Sequence, residues 1–176
     1  MKILAIDPGS TQSAYVVYDT DKRIIFAKDL IENNAALADL PGLAYGADQV
    51  VIEYPAPRGQ PLYTQLVDAI FWIGRFYQAM GLDQDDGLSI MMDRKDVNMA
   101  MCGRTTANDA AVNAAVRSRF SKHENIGGGK VPEVGIKNNP GPLFGVKKDI
   151  WAALAVALTY EEMRKTSPAA LDNFLY

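Results

Sequence analysis

The chain has 176 residues, 48% hydrophobic and 22% charged, with a formal net charge of −3 and one cysteine. That is the length of one domain, spanning 1–176, with the balance of an ordinary soluble protein. The longest purely apolar stretch, Ile150 to Leu158, is far short of the roughly 20 residues that cross a bilayer. The N-terminal MKILAIDPG lacks the long apolar region of a signal peptide, and a lone Cys102 excludes an internal disulfide, so a reducing, cytoplasmic setting is expected.

Taken in chain order, Lys2 to Asp7 reads as a buried strand stopped by Pro8-Gly9-Ser10. Ala14 to Tyr18 and Arg23 to Ala27 are rich in β-branched and aromatic residues, with a polar turn between them, so the first three strands predict an antiparallel meander. Asn33 to Leu40 suits a short helix closed by Pro41-Gly42. Gln49 to Glu53 is a second buried strand ending in a carboxylate, and a loop from Tyr54 follows it. From Pro61 to Gly81 apolar residues recur at helical spacing. Leu88 to Met92 is a short strand. Two helices, Arg94 to Met101 and Asn108 to Phe120, are separated by Gly103-Arg104-Thr105-Thr106. Asn125 to Gly145 holds six glycines and three prolines, an irregular loop of a length usually functional or disordered. Asp149 to Lys165 is a last helix, apolar on every side at its start and therefore buried. Three strands, helix, strand, helix, strand and further helices predict a mixed sheet covered by helices.

Asp7 and Glu53 each follow a hydrophobic strand directly. If those strands are parallel neighbours, the two carboxylates converge where mixed sheets bind ligands. Like charges in a partly desolvated place repel, and a hard divalent cation would relieve them. Asp149 is a third candidate, at the start of the buried helix. Each residue alone is equally compatible with a plain role, a turn for Asp7 and Glu53 and an N-cap for Asp149. From Arg117 to Lys148 seven basic residues face only Glu124 and Glu133, a segment suited to phosphates or simply to solvent. Arg58 in the loop after Glu53 is a candidate phosphate contact, and Tyr54 or Tyr63 a stacking platform for an unpaired base. His123, the only histidine, reads as a surface residue. Phe71, Trp72, Phe76 and Tyr77 are more aromatics than one buried stripe needs.

Ile6-Asp7-Pro8-Gly9-Ser10-Thr11 resembles the opening of RuvC-type Holliday junction resolvases, an I-D-P-G-x-T pattern. Val51-Ile52-Glu53 looks like that family's second acidic strand end. Cys102-Gly103-Arg104 and the helix around Ala111-Val112-Asn113 resemble its glycine turn and next helix. The Asp149-to-Leu158 segment is similar to its closing D-x-x-D-A-L-A-x-A helix. The likeness runs in order from residue 1 to about 165, and Gly127 to Pro142 is longer than in the typical member, as in a divergent, phage-like branch.

The resemblance implies an α/β, ribonuclease H-like fold with a mixed five-stranded sheet flanked by helices. It implies a homodimer that makes paired nicks in a four-way DNA junction, and no membrane or nucleotide partner. It also implies two Mg²⁺ ions per site, replaceable by Mn²⁺, roughly 3.5–4 Å apart. Asp7 would bridge them and Glu53 and Asp149 would each hold one. The family's second residue on the closing helix falls on Ala152, which cannot bind a metal. The site then works with three carboxylates, borrows another such as Asp93 or Asp96, or has lost activity. The family's two lysines also fail to match, since Asn98 and Asp109 stand there. Lys95, Arg104, Lys147 and Lys148 are the basic residues expected to take over contacts with DNA. Two other readings stand beside this one: a nuclease for other branched DNA, and a junction-binding protein without cleavage. A sugar kinase or ATPase fragment also opens with a D-x-G strand, but the chain is too short and lacks glycine-rich phosphate loops.

Overall fold

Five strands form one twisted sheet in the order β3-β2-β1-β4-β5. The computed structural model describes residues 1–56, 63–82, 87–121, 133–166 and 171. Strands β1 (Lys2–Asp7), β2 (Gln12–Asp19) and β3 (Ile24–Glu32) make the antiparallel meander that the sequence predicts. Strands β4 (Gln49–Tyr54) and β5 (Ser89–Asp93) extend it on the other side of β1, both parallel to it. Helices α1 (Asn33–Tyr45) and α2 (Thr64–Met80) lie between β3, β4 and β5 in the chain. Helices α3 (Arg94–Cys102), α4 (Asp109–Phe120) and α5 (Ile150–Thr166) follow β5, with a small hairpin of two-residue strands, β6 (Gly135–Ile136) and β7 (Asn139–Pro140), before α5.

Side chains alternate across a strand, and this divides the interior in two. Ile3, Ala5, Val51, Ile90 and Met92 pack with α3, α4 and α5. Leu4, Ile6, Val50 and Ile52 pack on the other face with Ala36, Leu40, Ile73 and Phe76 of α1 and α2. Helix α5 is buried nearly throughout its first three turns, as its apolar sequence requires, and it crosses β1, β2 and β4. By the same alternation Asp7 and Glu53 belong to the face that α5 covers.

Two boundaries differ from expectation. Helix α1 does not close at Pro41-Gly42 but runs on to Tyr45. Pro41 removes one amide from the helical ladder, yet Leu40 is buried and Leu43 and Ala44 pack on the α2 side, so tertiary contact carries the helix past it. Strand β3 runs to Glu32 rather than Ala27, its second half pairing Lys28 with Val16 and Glu32 with Gln12. It is an edge strand, and the charges at Lys28, Asp29 and Glu32 that hide it from a pattern search also protect it from adding a foreign strand.

Candidate active site

The loop that leaves β1 is held from three sides. The Gly9 amide donates to Ser13 Oγ (3.3 Å), Ser13 Oγ donates to Asn33 Oδ1 (2.7 Å), and Asn33 Nδ2 donates back to the Gly9 carbonyl (3.0 Å). Gly9 is needed for space: a Cβ there would stand 2.3 Å from the Gln12 carbonyl oxygen. This clasp fixes the end of β1, and with it Asp7. Strand β4 lies parallel with Ile6 opposite Ile52, so Asp7 and Glu53 come next in register on the same face. The convergence expected of two parallel strand ends is therefore present.

Arg94, which sequence reasoning passed over, completes this corner. It opens α3 directly after β5, where Asp93 caps the helix by accepting from the Lys95 amide (2.7 Å). Glu53 lies opposite Met92 in the register, two residues before Arg94. Arg94 Nη1 donates to both carboxylate oxygens of Glu53, at 3.4 and 3.2 Å, and Arg94 Nη2 donates to Asp109 at the start of α4. A cleft of about 280 Å³ opens here, lined by Asp7, Arg94, Asp109, Lys148, Asp149 and Ala152, with Val112, Asn113 and Trp151 around them. Asp149 precedes α5, and its carbonyl accepts the Ala153 amide (3.1 Å). The residue before it, Lys148, has a left-handed backbone with φ of 47°, which a non-glycine side chain adopts at a cost.

The charges are unequal. Burial pushes the Asp7 carboxyl well above its ordinary range, and the negative charges of Glu53 and Asp149 push it further, against a smaller opposing pull from Arg94. Burial also raises Glu53, with Arg94 pulling the other way. For Arg94, burial works against the charge, but Glu53 and Asp109 outweigh it, so the guanidinium stays ionised. Neither Asp7 nor Asp149 forms a salt bridge with another described residue, whereas Glu53 and Asp109 both do. Among the described residues no group of three or more His, Cys, Asp or Glu is close enough to hold a metal ion. The hard oxygen donors of Asp7 and Asp149, crowded by negative charge, still suit one hard divalent cation that keeps several waters.

The remaining expected residues divide as follows. Lys148 lines the cleft; Lys95, Arg104 and Lys147 are exposed and do not. Tyr63 is exposed just before α2, Tyr54 packs against the α1–α2 core, and Arg58 and His123 lie outside the described residues. Asp93 and Asp96 do not line the cleft. Asn98 is buried and donates to the Thr105 and Ala107 carbonyls (2.9 and 3.2 Å), so it ties the glycine turn together rather than facing DNA. Of the basic segment, Arg117 stacks over Trp151 (5.1 Å) and Arg119 pairs with Glu162, while Lys137, Lys147 and Lys148 are exposed.

No protein-family model matches the chain, and no curated protein matches its sequence. Solved structures do match. Thermus thermophilus RuvC superposes with a TM-score of 0.64 over 94% of this chain and 96% of its own, at 17% identity. The T. thermophilus RuvC in complex with Holliday junction substrate gives a TM-score of 0.61 over 93% and 96%, at 20% identity. The chain has the RuvC fold, the ribonuclease H-like mixed sheet with helices on both faces.

Proposed function

We propose that the protein is a divalent-cation-dependent endodeoxyribonuclease that resolves four-way DNA junctions as a homodimer, nicking two strands symmetrically. What carries this reading is the meeting of Asp7 and Asp149 in one cleft at the carboxyl edge of a RuvC-type sheet, with Glu53 next to Asp7 by the strand register. A related fold bound to a Holliday junction supports branched DNA as the substrate class. Mg²⁺, or Mn²⁺ in its place, would be held from Asp7 and Asp149 with Glu53 beside them, and would supply positive charge at the scissile phosphate and an acidified water.

The chain's own residues then do the positioning. Asp7 and Glu53 present oxygens from rigid strand ends, a firmer mount than loops provide. Arg94 holds Glu53 and Asp109 in fixed orientation. Lys148, on the cleft rim, takes a neighbouring phosphate, and exposed Lys95, Arg104 and Lys147 add longer-range attraction to the backbone despite the net charge of −3. Helix α2 buries Leu66, Ala69, Ile73 and Phe76 but leaves Val67 and Phe71 exposed, a self-complementary contact for a two-fold dimer.

The test is incubation of a synthetic four-way junction with Mg²⁺ or Mn²⁺, beside a linear duplex, a replication fork and the Asp7→Asn variant. Paired nicks in the junction, absent from the duplex and lost in the variant, are expected. Faster cleavage of the fork would replace this reading with a nuclease for other branched DNA. Ala152 in the cleft wall favours one further reading, a junction-binding protein without cleavage. Tight binding with no nicks in either metal, and nicking restored by Ala152→Asp, would establish it.

A further inference from the structure

Two departures from a two-ion site meet in the same cleft. Ala152 lines it one helical turn after Asp149 and offers no ligand atom. In the same cleft the Arg94 guanidinium touches both oxygens of Glu53 and reaches Asp109. We propose that Arg94 stands permanently in the place of a second metal ion, so that this cleft takes a single divalent cation, between Asp7 and Asp149. The inference rests on the reading of the cleft as a cation-dependent phosphodiesterase.

Three observations support it. First, the Arg94 side chain is only 22% exposed and Glu53 only 11%, so the pair is well shielded from water, where removing one partner of an ion pair is costly. A guanidinium cannot surrender its proton to make room for an ion. Second, Arg94 is not a side chain at the end of a flexible loop. It is the first residue of α3, whose start is fixed by the Asp93 cap and by the pairing of β5 with β4. Third, the charges balance around one ion. Four carboxylates, Asp7, Glu53, Asp109 and Asp149, meet two cationic side chains, Arg94 and Lys148. Arg94 satisfies Glu53 and Asp109, which leaves Asp7 and Asp149 as the two without an ion pair to a described residue. One divalent cation neutralises that remainder.

Arg94 is thus a positioning residue of fixed charge. It holds Glu53 where a second ion would otherwise hold it, and it adds positive charge beside the phosphate that does not depend on metal concentration.

The experiment counts ions rather than products. Metal-free protein is titrated with Mn²⁺ by calorimetry, with electron paramagnetic resonance on the same samples, for wild type, Arg94→Gln and Arg94→Lys. The wild type should bind one Mn²⁺ per chain and show no spin-coupled signal. Arg94→Gln, which uncovers Glu53 and Asp109, should bind two and show the coupled pair. Arg94→Lys, retaining a point charge, should stay at one and serves as the folded control if Arg94→Gln does not fold. Two ions in the wild type, none in the wild type, or one in a folded Arg94→Gln would each overturn the proposal. The count separates it from the functional reading. One ion in wild type and two in Arg94→Gln, without any junction cleavage, keeps this inference and discards the resolvase. Junction cleavage by a wild type holding two ions does the reverse.

Discussion

Replacing Asp7 with asparagine should make the metal-free protein more stable while abolishing its chemistry. Neighbouring strands lie about 4.8 Å apart, and Asp7 and Glu53 follow the last paired residues of two such strands on one face. Two unit charges at about 5 Å repel by about 3 kcal/mol at an effective dielectric of about 20. Arg94 offsets part of this at Glu53, so about 1–2 kcal/mol is the expected gain from removing the Asp7 charge. For a chain of this size that raises the melting temperature by about 2–8 °C. The pH dependence has a definite sign. The folded state raises the Asp7 pKa above its ordinary value near 3.8, so between those two values the native protein binds more protons than the unfolded one. Stability therefore falls as pH rises through that window. The advantage of Asp7→Asn should be absent near pH 4, grow as pH rises to the raised pKa, and stay constant above it. Scanning calorimetry in chelator across that range measures it. Mg²⁺ should then stabilise the wild type more than the variant and narrow the gap. If Asp7→Asn melts lower than wild type in chelator at neutral pH, or if the ion stabilises both equally, Asp7 is not a strained carboxylate awaiting a cation.

Lys148→Ala should weaken junction binding and lower the salt dependence of log K by about one unit of slope, the signature of one lost phosphate contact; binding titrations between low and moderate salt read it, and an unchanged slope would place Lys148 off the DNA path. Gly9→Ala drives a Cβ into the Gln12 carbonyl. It should cost about 2 kcal/mol or more as backbone shifts to relieve the overlap, with cleavage falling further than stability because Asp7 moves with the loop; chemical denaturation and junction cleavage on the same preparation compare the two. Phe71→Glu places a charge on the exposed face of α2 and should yield monomers by sedimentation, which nick junctions singly rather than in symmetrical pairs.

The fold was legible where a residue's surroundings are set by its chain neighbours. Apolar β-branched runs at β1 and β4, the polar turns of the meander, and the all-round apolar start of α5 each announced an element and its burial. What stayed hidden was set by residues distant in sequence. Pro41 looked like a stop because its neighbours do not show Leu40 and Leu43 anchored against α2. Arg94 was passed over at the start of its predicted helix because nothing local says that Glu53, 41 positions earlier, lies beside it. Asn98 and Asp109 were read together as absent lysines, yet one braces a turn and the other pairs with Arg94. Asp7 and Glu53 could be placed at strand ends because strand ends are visible in a sequence, and the cation that pairs with Glu53 was missed because strand order is not.

The split of the interior along alternate residues of β1 and β4 has a further consequence. Substitutions at Leu4, Ile6, Val50 or Ile52 are felt by α1 and α2, and those at Ile3, Ala5 or Val51 by the helices that wall the cleft. Neighbouring codons thus answer to different packing partners, one set to α1 and α2 and the other to the helices around the cleft. A change that repacks α1 and α2 leaves the other face of the sheet undisturbed, so tolerated substitutions in β1 and β4 fall in a two-residue stripe rather than in blocks.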